Sequence, residues 1–220
     1  MELIRELIGF VLHIDEYLKQ ITATYGVWTN AILFLIIFCE TGLVVTPFLP
    51  GDSLLFATGA IAADPASGLD PLVLYILLTI AAILGDSVNY AIGRRVGARI
   101  LDWNLPFVKK EYIDRANEFY AKHGAKMIVM ARFVPIVRTF APFVAGMAEM
   151  NYRVFVTYNV VGGVIWTTLF IWAGYFFGGL PFVQENFELV AVAIVLLSVL
   201  PMIYEAIVHR REQAAKATQK

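Results

Sequence analysis

Four ionisable residues stand inside otherwise apolar sequence: Glu40, Asp52, Arg132 and Arg138. A charge at the centre of a bilayer costs about 2.5–3.5 kcal/mol on insertion scales, so such residues persist where they pair or work. The acids fall in one apolar stretch and the arginines in another. Arginine's planar fork donates paired hydrogen bonds to phosphate-like anions and stays charged at any accessible pH. Arg132 and Arg138 would align poorly on one straight helix, but Pro135 between them bends the backbone. Both can then converge on one anion, with N–H groups freed at the bend as further donors. Glu40 and Asp52 are the candidate proton carriers. Burial favours a carboxyl's neutral form and a neighbouring arginine its charged form, so proton binding can be traded against anion binding. The plainer alternative is a set of salt bridges that pins the two stretches together.

Asp86 is a secondary candidate. It shares a helical face with Asn89, Tyr90 and Gly93, and it either pairs with Arg94 or lines a path. Gly85, Gly93 and Gly97 on that face predict a close helix–helix contact, and Gly174 to Gly178 a second one. Trp28, Trp166 and Trp172 read as interfacial-belt or core aromatics. Cys39 is alone in an apolar run, so it reads as a buried small hydrophobe, with no disulfide and no thiolate metal site. A lipid phosphatase would need a nucleophile and a general acid, commonly histidine. His13, His123 and His209 all lie outside the charged stretches. No catalytic residue, metal or cofactor is therefore expected, and the chain is not read as an enzyme.

The elements that must hold these residues follow from composition. The chain has 220 residues, 59% hydrophobic, 14% aromatic and only 16% charged, with net charge −1; its mean hydropathy is +0.70. That excludes an ordinary soluble enzyme, a disordered chain and a nucleic-acid binder, and it fits one membrane domain over 1–220. Residues 1–26 carry apolar positions at roughly helical spacing with Arg5, Glu16 and Lys19 between them. They read as an amphipathic helix in the interface, not a cleavable signal peptide. Stretches 71–92, 154–178 and 189–209 are long and apolar enough to span. Stretch 28–63 is interrupted by Glu40, Pro47, Pro50, Gly51 and Asp52, and 127–150 by Arg132, Pro135, Arg138 and Pro142. Broken helices at membrane depth survive only where buried in protein or lining a wet cavity. Both stretches are therefore predicted to be re-entrant hairpins, with Pro47, Pro50, Gly51, Pro135 and Pro142 as the breaks.

Basic residues set orientation. Segment 94–126 and the tail 210–220 are rich in Lys and Arg and should be cytoplasmic, whereas 64–70 and 179–188 contain neither and should face outward. Spans 154–178 and 189–209 supply the even number of crossings this requires, so 127–150 must enter and leave from the cytoplasmic side. The side of the N-terminus stays open. A hairpin plus a span, twice over, is an internal repeat. Phe48-Leu-Pro50 matches Phe133-Val-Pro135, and the small residues Ala57 to Ala60 match Ala145 to Ala148. The expected fold is an all-α polytopic membrane protein: an inverted repeat of two opposed re-entrant hairpins, each followed by a transmembrane helix, plus a C-terminal transmembrane helix. Secondary transporters with broken helices place their site where such repeats meet.

The run from Phe38 through Glu40, Pro47, Pro50 and Asp52 to Ser53 resembles the acidic motif of the DedA family. The run Gly85-Asp86-Ser-Val-Asn-Tyr90-Ala-Ile-Gly93-Arg-Arg-Val-Gly97 is similar to its next motif, and Ala131-Arg132 through Pro135 and Arg138 to Pro142 to its arginine motif. The likeness covers about residues 10–210. It implies a bacterial inner-membrane protein that returns undecaprenyl phosphate across the membrane, supporting envelope integrity and cell division, with proton motive force required in some members. It maps essential acids onto Glu40 and Asp52 and essential arginines onto Arg132 and Arg138. The implied partners are a membrane lipid (polyprenyl phosphate or phospholipid) and protons, with a homo-oligomer admitted and no nucleic acid. A proton-coupled ion antiporter, a phospholipid scramblase and a membrane assembly factor stand as alternatives.

Overall fold

The computed structural model describes residues 14–43, 51–100, 124–187 and 189–194. Every element among them is helical. Helix α1 spans Ile14–Tyr25. It stops at Gly26, whose φ of +52° is left-handed backbone that glycine adopts without a Cβ penalty. A 3-10 turn over Gly26–Trp28 then leads into α2, Thr29–Gly42. Helix α3 spans Gly51–Ala62. Asp70 accepts hydrogen bonds from the N–H groups of Leu72 (2.8 Å) and Val73 (3.0 Å), capping α4, Pro71–Ile100. Helices α5, Met127–Ala131, and α6, Pro135–Met147, are separated by a short break. Asn151 caps α7, Tyr152–Phe177, by accepting from Arg153 N–H at 2.9 Å. A short α8, Pro181–Glu185, follows, and the backbone is helical again over 189–194.

Among the described residues, three helical stretches are long and apolar enough to cross a membrane: Glu16–Gly42, Pro71–Val96 and Tyr152–Phe177. The last two match the expected spans 71–92 and 154–178, although α4 runs on through Arg94 and Arg95 to Ile100. The first stretch covers both the expected interfacial helix and the expected first hairpin arm, with the 3-10 turn at Gly26–Trp28 inside it. The expected span 189–209 lies beyond the described residues after 194. So do Pro47 and Pro50, the tail 210–220, and most of the connector 94–126.

The burial pattern is inverted relative to a soluble protein. On α4, Leu72, Ile76, Ile80 and Leu84 recur at helical spacing and are exposed, while Asp86, Asn89 and Tyr90 are buried. On α7, Val161, Ile165 and Leu169 are exposed, whereas Asn159, Trp166 and Thr167 are buried. Apolar out and polar in is the arrangement lipid favours, since polar groups there must find partners inside the protein.

Small residues let the backbones meet. A Cβ on Gly59 would overlap the Ile171 carbonyl, and one on Gly174 the Phe56 carbonyl, so α3 lies directly on α7. A Cβ on Gly93 would overlap the Phe143 carbonyl, and one on Gly146 the Tyr90 carbonyl, so α6 lies directly on α4. The second arm of each broken stretch thus packs on the span that follows the other. The glycine contacts expected at Gly85, Gly93, Gly174 and Gly178 are present; nothing is described of the Gly97 position. Leu33, Ile37, Leu55, Leu74, Leu78 and Trp166 lie in one core, and Tyr90, Ile128, Ala145 and Phe155 form a second.

One expected break is absent. Pro142 lies inside α6, which continues to Met147. Proline there removes one N–H from the helical ladder and crowds the preceding turn. The tight seat of α6 on α4, with Gly146 against Tyr90, holds the helix together across it.

Candidate functional site

Two ion-pair clusters occupy the centre, halfway along α4 and α7. In the first, Glu40 near the end of α2 and Asp52 in the first turn of α3 face Arg138 in the first turns of α6. Arg138 Nη1 donates to Asp52 Oδ1 at 2.6 Å, and its Nη2 donates to Glu40 Oε1. All three residues are buried. Gly51, the first residue of α3, lies against the Glu40 carboxylate, which a Cβ there would overlap. The start of a helix carries free N–H groups and a partial positive charge, so it is a favourable seat for these two acids.

In the second cluster, Arg132 from the break between α5 and α6 reaches α4 and α7. Its Nη2 lies 2.5 Å from Asp86 Oδ2, donates to Asn159 Oδ1 at 2.5 Å and to the Ala82 carbonyl at 3.4 Å. Asn159 in turn donates to the Ile83 carbonyl (3.0 Å) and Ser87 Oγ (3.3 Å). Asn89 Nδ2 donates to the carbonyls of Thr41 (3.1 Å) and Thr139 (2.8 Å), tying α2 and α6 to α4.

Trp166 stands between the clusters. Its Nε1–H donates to Asp52 Oδ1 at 2.8 Å. The ring centroid lies 5.0 Å from Arg138 Cζ and 5.9 Å from Arg132 Cζ, within cation–π range of both.

The acids of the first stretch and an arginine of the second do meet. Both Glu40 and Asp52 go to Arg138. Arg132 is matched by Asp86, which the sequence reading offered to Arg94. Residues 86 and 94 are two turns apart along one helix, about 12 Å, whereas Arg132 enters from the facing break. Gly51 opens α3 and Pro135 opens α6, so each break expected there coincides with a helix start. Asn159, the two carbonyl bonds of Asn89 and the contact of the Trp166 indole with Asp52 were not expected from the sequence. A buried amide within a span was the available signal for the two asparagines, because an unpaired polar group there is expensive.

The chemistry these groups offer is complementary. Among the described residues, Arg132 Nε and Nη1 are buried without a hydrogen-bond acceptor, and Glu40 Oε2 and Asp86 Oδ1 are buried without a donor. Buried guanidinium N–H groups lacking acceptors suit an oxyanion, and buried carboxylate oxygens lacking donors suit a proton. Among the described residues, three carboxylates against two guanidiniums leave these two clusters one positive charge short if all are ionised. Among the described residues no group of three or more His, Cys, Asp or Glu side chains is placed to hold a metal ion.

The VTT domain model matches residues 49–176. Protein DedA of Escherichia coli strain K12 is 55% identical over 218 residues, covering 99% of this chain and all of that protein. An uncharacterized membrane protein of Mycobacterium tuberculosis is 44% identical over 185 residues, 82% of this chain and 81% of its own. Inner membrane protein YqjA of E. coli K12 is 34% identical over 175 residues, 79% of this chain and 78% of its own. No solved structure matches.

Proposed function

The chain belongs to the DedA family of VTT-domain membrane proteins, and on that premise we propose that it carries a lipid phosphate, undecaprenyl phosphate first among candidates, across the bacterial inner membrane. It does so as a transporter and not as an enzyme. The observation that supports this most directly is the buried pairing of two arginines with three carboxylates where two broken helices meet. Fully matched pairs would serve as pins alone. Here Arg132 keeps unengaged N–H groups and two of the acids keep unengaged oxygens, which a pin does not need and an exchange of anion for proton does.

The mechanism follows from competition. A phosphate monoester entering beside Trp166 is drawn to the N–H groups of Arg132. To engage Arg138 as well, it displaces Glu40 and Asp52. The displaced carboxylates are costly in a dry interior unless they take up protons. Anion loading and proton uptake are thereby linked at one place. Alternate exposure of that place to the two sides would come from opposed hairpins, 28–63 from outside and 127–150 from the cytoplasm, with the C-terminus cytoplasmic. Two packing relations support the opposition: α2 runs beside α4 in the same direction, with Gly42 at Gly85, and α6 lies on the far half of α4, with Gly146 at Tyr90.

The test is leaflet exchange in proteoliposomes carrying labelled undecaprenyl phosphate, with and without an imposed proton gradient. Exchange that the gradient accelerates and that Arg138→Ala and Glu40→Gln abolish is the expected result. Exchange of any phospholipid regardless of gradient would make the protein a scramblase, and no exchange by a folded protein would end the lipid-carrier reading.

A further inference from the structure

The hairpins and α4 supply the five charged side chains described in the two clusters, yet α7 supplies the side chain that touches both. Trp166 is fully buried. Its indole N–H and Arg138 Nη1 converge on the same oxygen, Asp52 Oδ1, at 2.8 and 2.6 Å. Its ring is flanked by both guanidiniums, at 5.0 and 5.9 Å. One turn earlier, α7 is bare: a Cβ on Gly162 would stand 3.0 Å from Arg132 Cδ, and Arg132 Nη2 lies 3.6 Å from the same position on Gly163. Two glycines followed by an indole make a slot that the Arg132 stem fills.

We propose that Trp166 is a positioning residue that couples the two arginine clusters, keeping a donor on Asp52 when Arg138 turns to an incoming anion. This rests on the lipid-phosphate reading above and adds a residue to it. A buried carboxylate that loses a donor is left with a desolvation penalty. With the indole N–H in place, Asp52 surrenders Arg138 while retaining a hydrogen bond, and the ring offers the guanidinium an electron-rich face as it moves. Without the N–H, Asp52 leans harder on Arg138 and resists the anion.

The test uses the full chain in detergent micelles, with phosphatidic acid as a lipid phosphate monoester and phosphatidylcholine as control. In one protein Trp28, Trp103 and Trp172 are replaced by Phe, leaving Trp166 as sole emitter. Its emission is expected to shift saturably with phosphatidic acid and to ignore phosphatidylcholine. In the otherwise unaltered chain, Trp166→Phe is expected to weaken phosphatidic acid binding by about tenfold, the size of one hydrogen bond to a charged group. Trp166→Leu, which also removes the ring, should weaken it further. If Trp166 emission stays fixed while a thermal-shift assay shows binding, or if Trp166→Phe binds as the unaltered chain does, the coupling role falls and the lipid-phosphate reading survives. Failure of the unaltered chain to bind phosphatidic acid would overturn both.

Discussion

Gly51 and Glu40 are so close that no side chain fits between them: a Cβ on Gly51 would overlap the Glu40 carboxylate. The first turn of α3 therefore sets where Glu40 can stand, and Glu40 at that place meets Arg138. Gly51→Ala is expected to push the carboxylate off the guanidinium. Lipid exchange should fall at least as far as in Glu40→Gln, and the melting temperature of the purified protein should drop. A Gly51→Ala protein that exchanges lipid normally would show that the Glu40–Arg138 pair is dispensable.

Arg138 answers two carboxylates with two different nitrogens. Lysine is a point charge without that fork, so Arg138→Lys should restore little of what Arg138→Ala loses. Removing one partner of a buried pair costs about 3–5 kcal/mol because the other charge is left uncompensated. The triple variant Glu40→Gln, Asp52→Asn, Arg138→Gln should consequently melt closer to the unaltered protein than Arg138→Ala does, while exchanging no lipid. Equal melting temperatures for the two would mean the core charges are solvated rather than paired.

Much of this site was legible in the sequence, and the reason is the bilayer. Charges in apolar sequence are expensive enough that Glu40, Asp52, Arg132 and Arg138 announced themselves, and Gly51 and Pro135 beside them stand where α3 and α6 begin. What the sequence could not give was partner choice. Asp86 had a nearby arginine along its own helix in Arg94, yet pairs with Arg132, because pairing depends on how the helices are stacked. Trp166 was hidden for the opposite reason: tryptophan is ordinary in membrane helices, and only geometry separates an indole that donates to a carboxylate from one that fills space. Pro142 shows that a proline's effect is likewise decided by packing, since α6 runs through it.

Asn159 holds Arg132 through one nitrogen while donating to Ile83 and Ser87. Asn159→Leu removes all three links at nearly constant volume. It should destabilise the protein by about 1–3 kcal/mol, the cost of leaving buried groups unsatisfied, and lower lipid exchange through Arg132. Asn159→Asp instead adds a second acid beside Arg132 and should shift the proton-gradient dependence of exchange, read from initial rates at several imposed gradients. Identical dependence in Asn159→Asp would remove the second cluster from the coupling.

The opposed-hairpin topology can be tested one cysteine at a time, starting from a Cys39→Ala protein. Ser67, before α4, should be reached by a membrane-impermeant maleimide added outside intact cells, because 64–70 has no basic residue. Glu149, between α6 and α7, should be labelled only after the cytoplasmic side is opened. Thr24, exposed at the end of α1, discriminates further. If α2 enters and α3 returns on the same side, Thr24 shares the outward side of Ser67, and Thr24→Cys labels in intact cells. If the helical stretch 16–42 crosses the bilayer in full, Thr24→Cys labels only from the cytoplasm. Asp52 would then meet Arg138 at the far end of a span instead of at a midplane break, and the site would open to one side only.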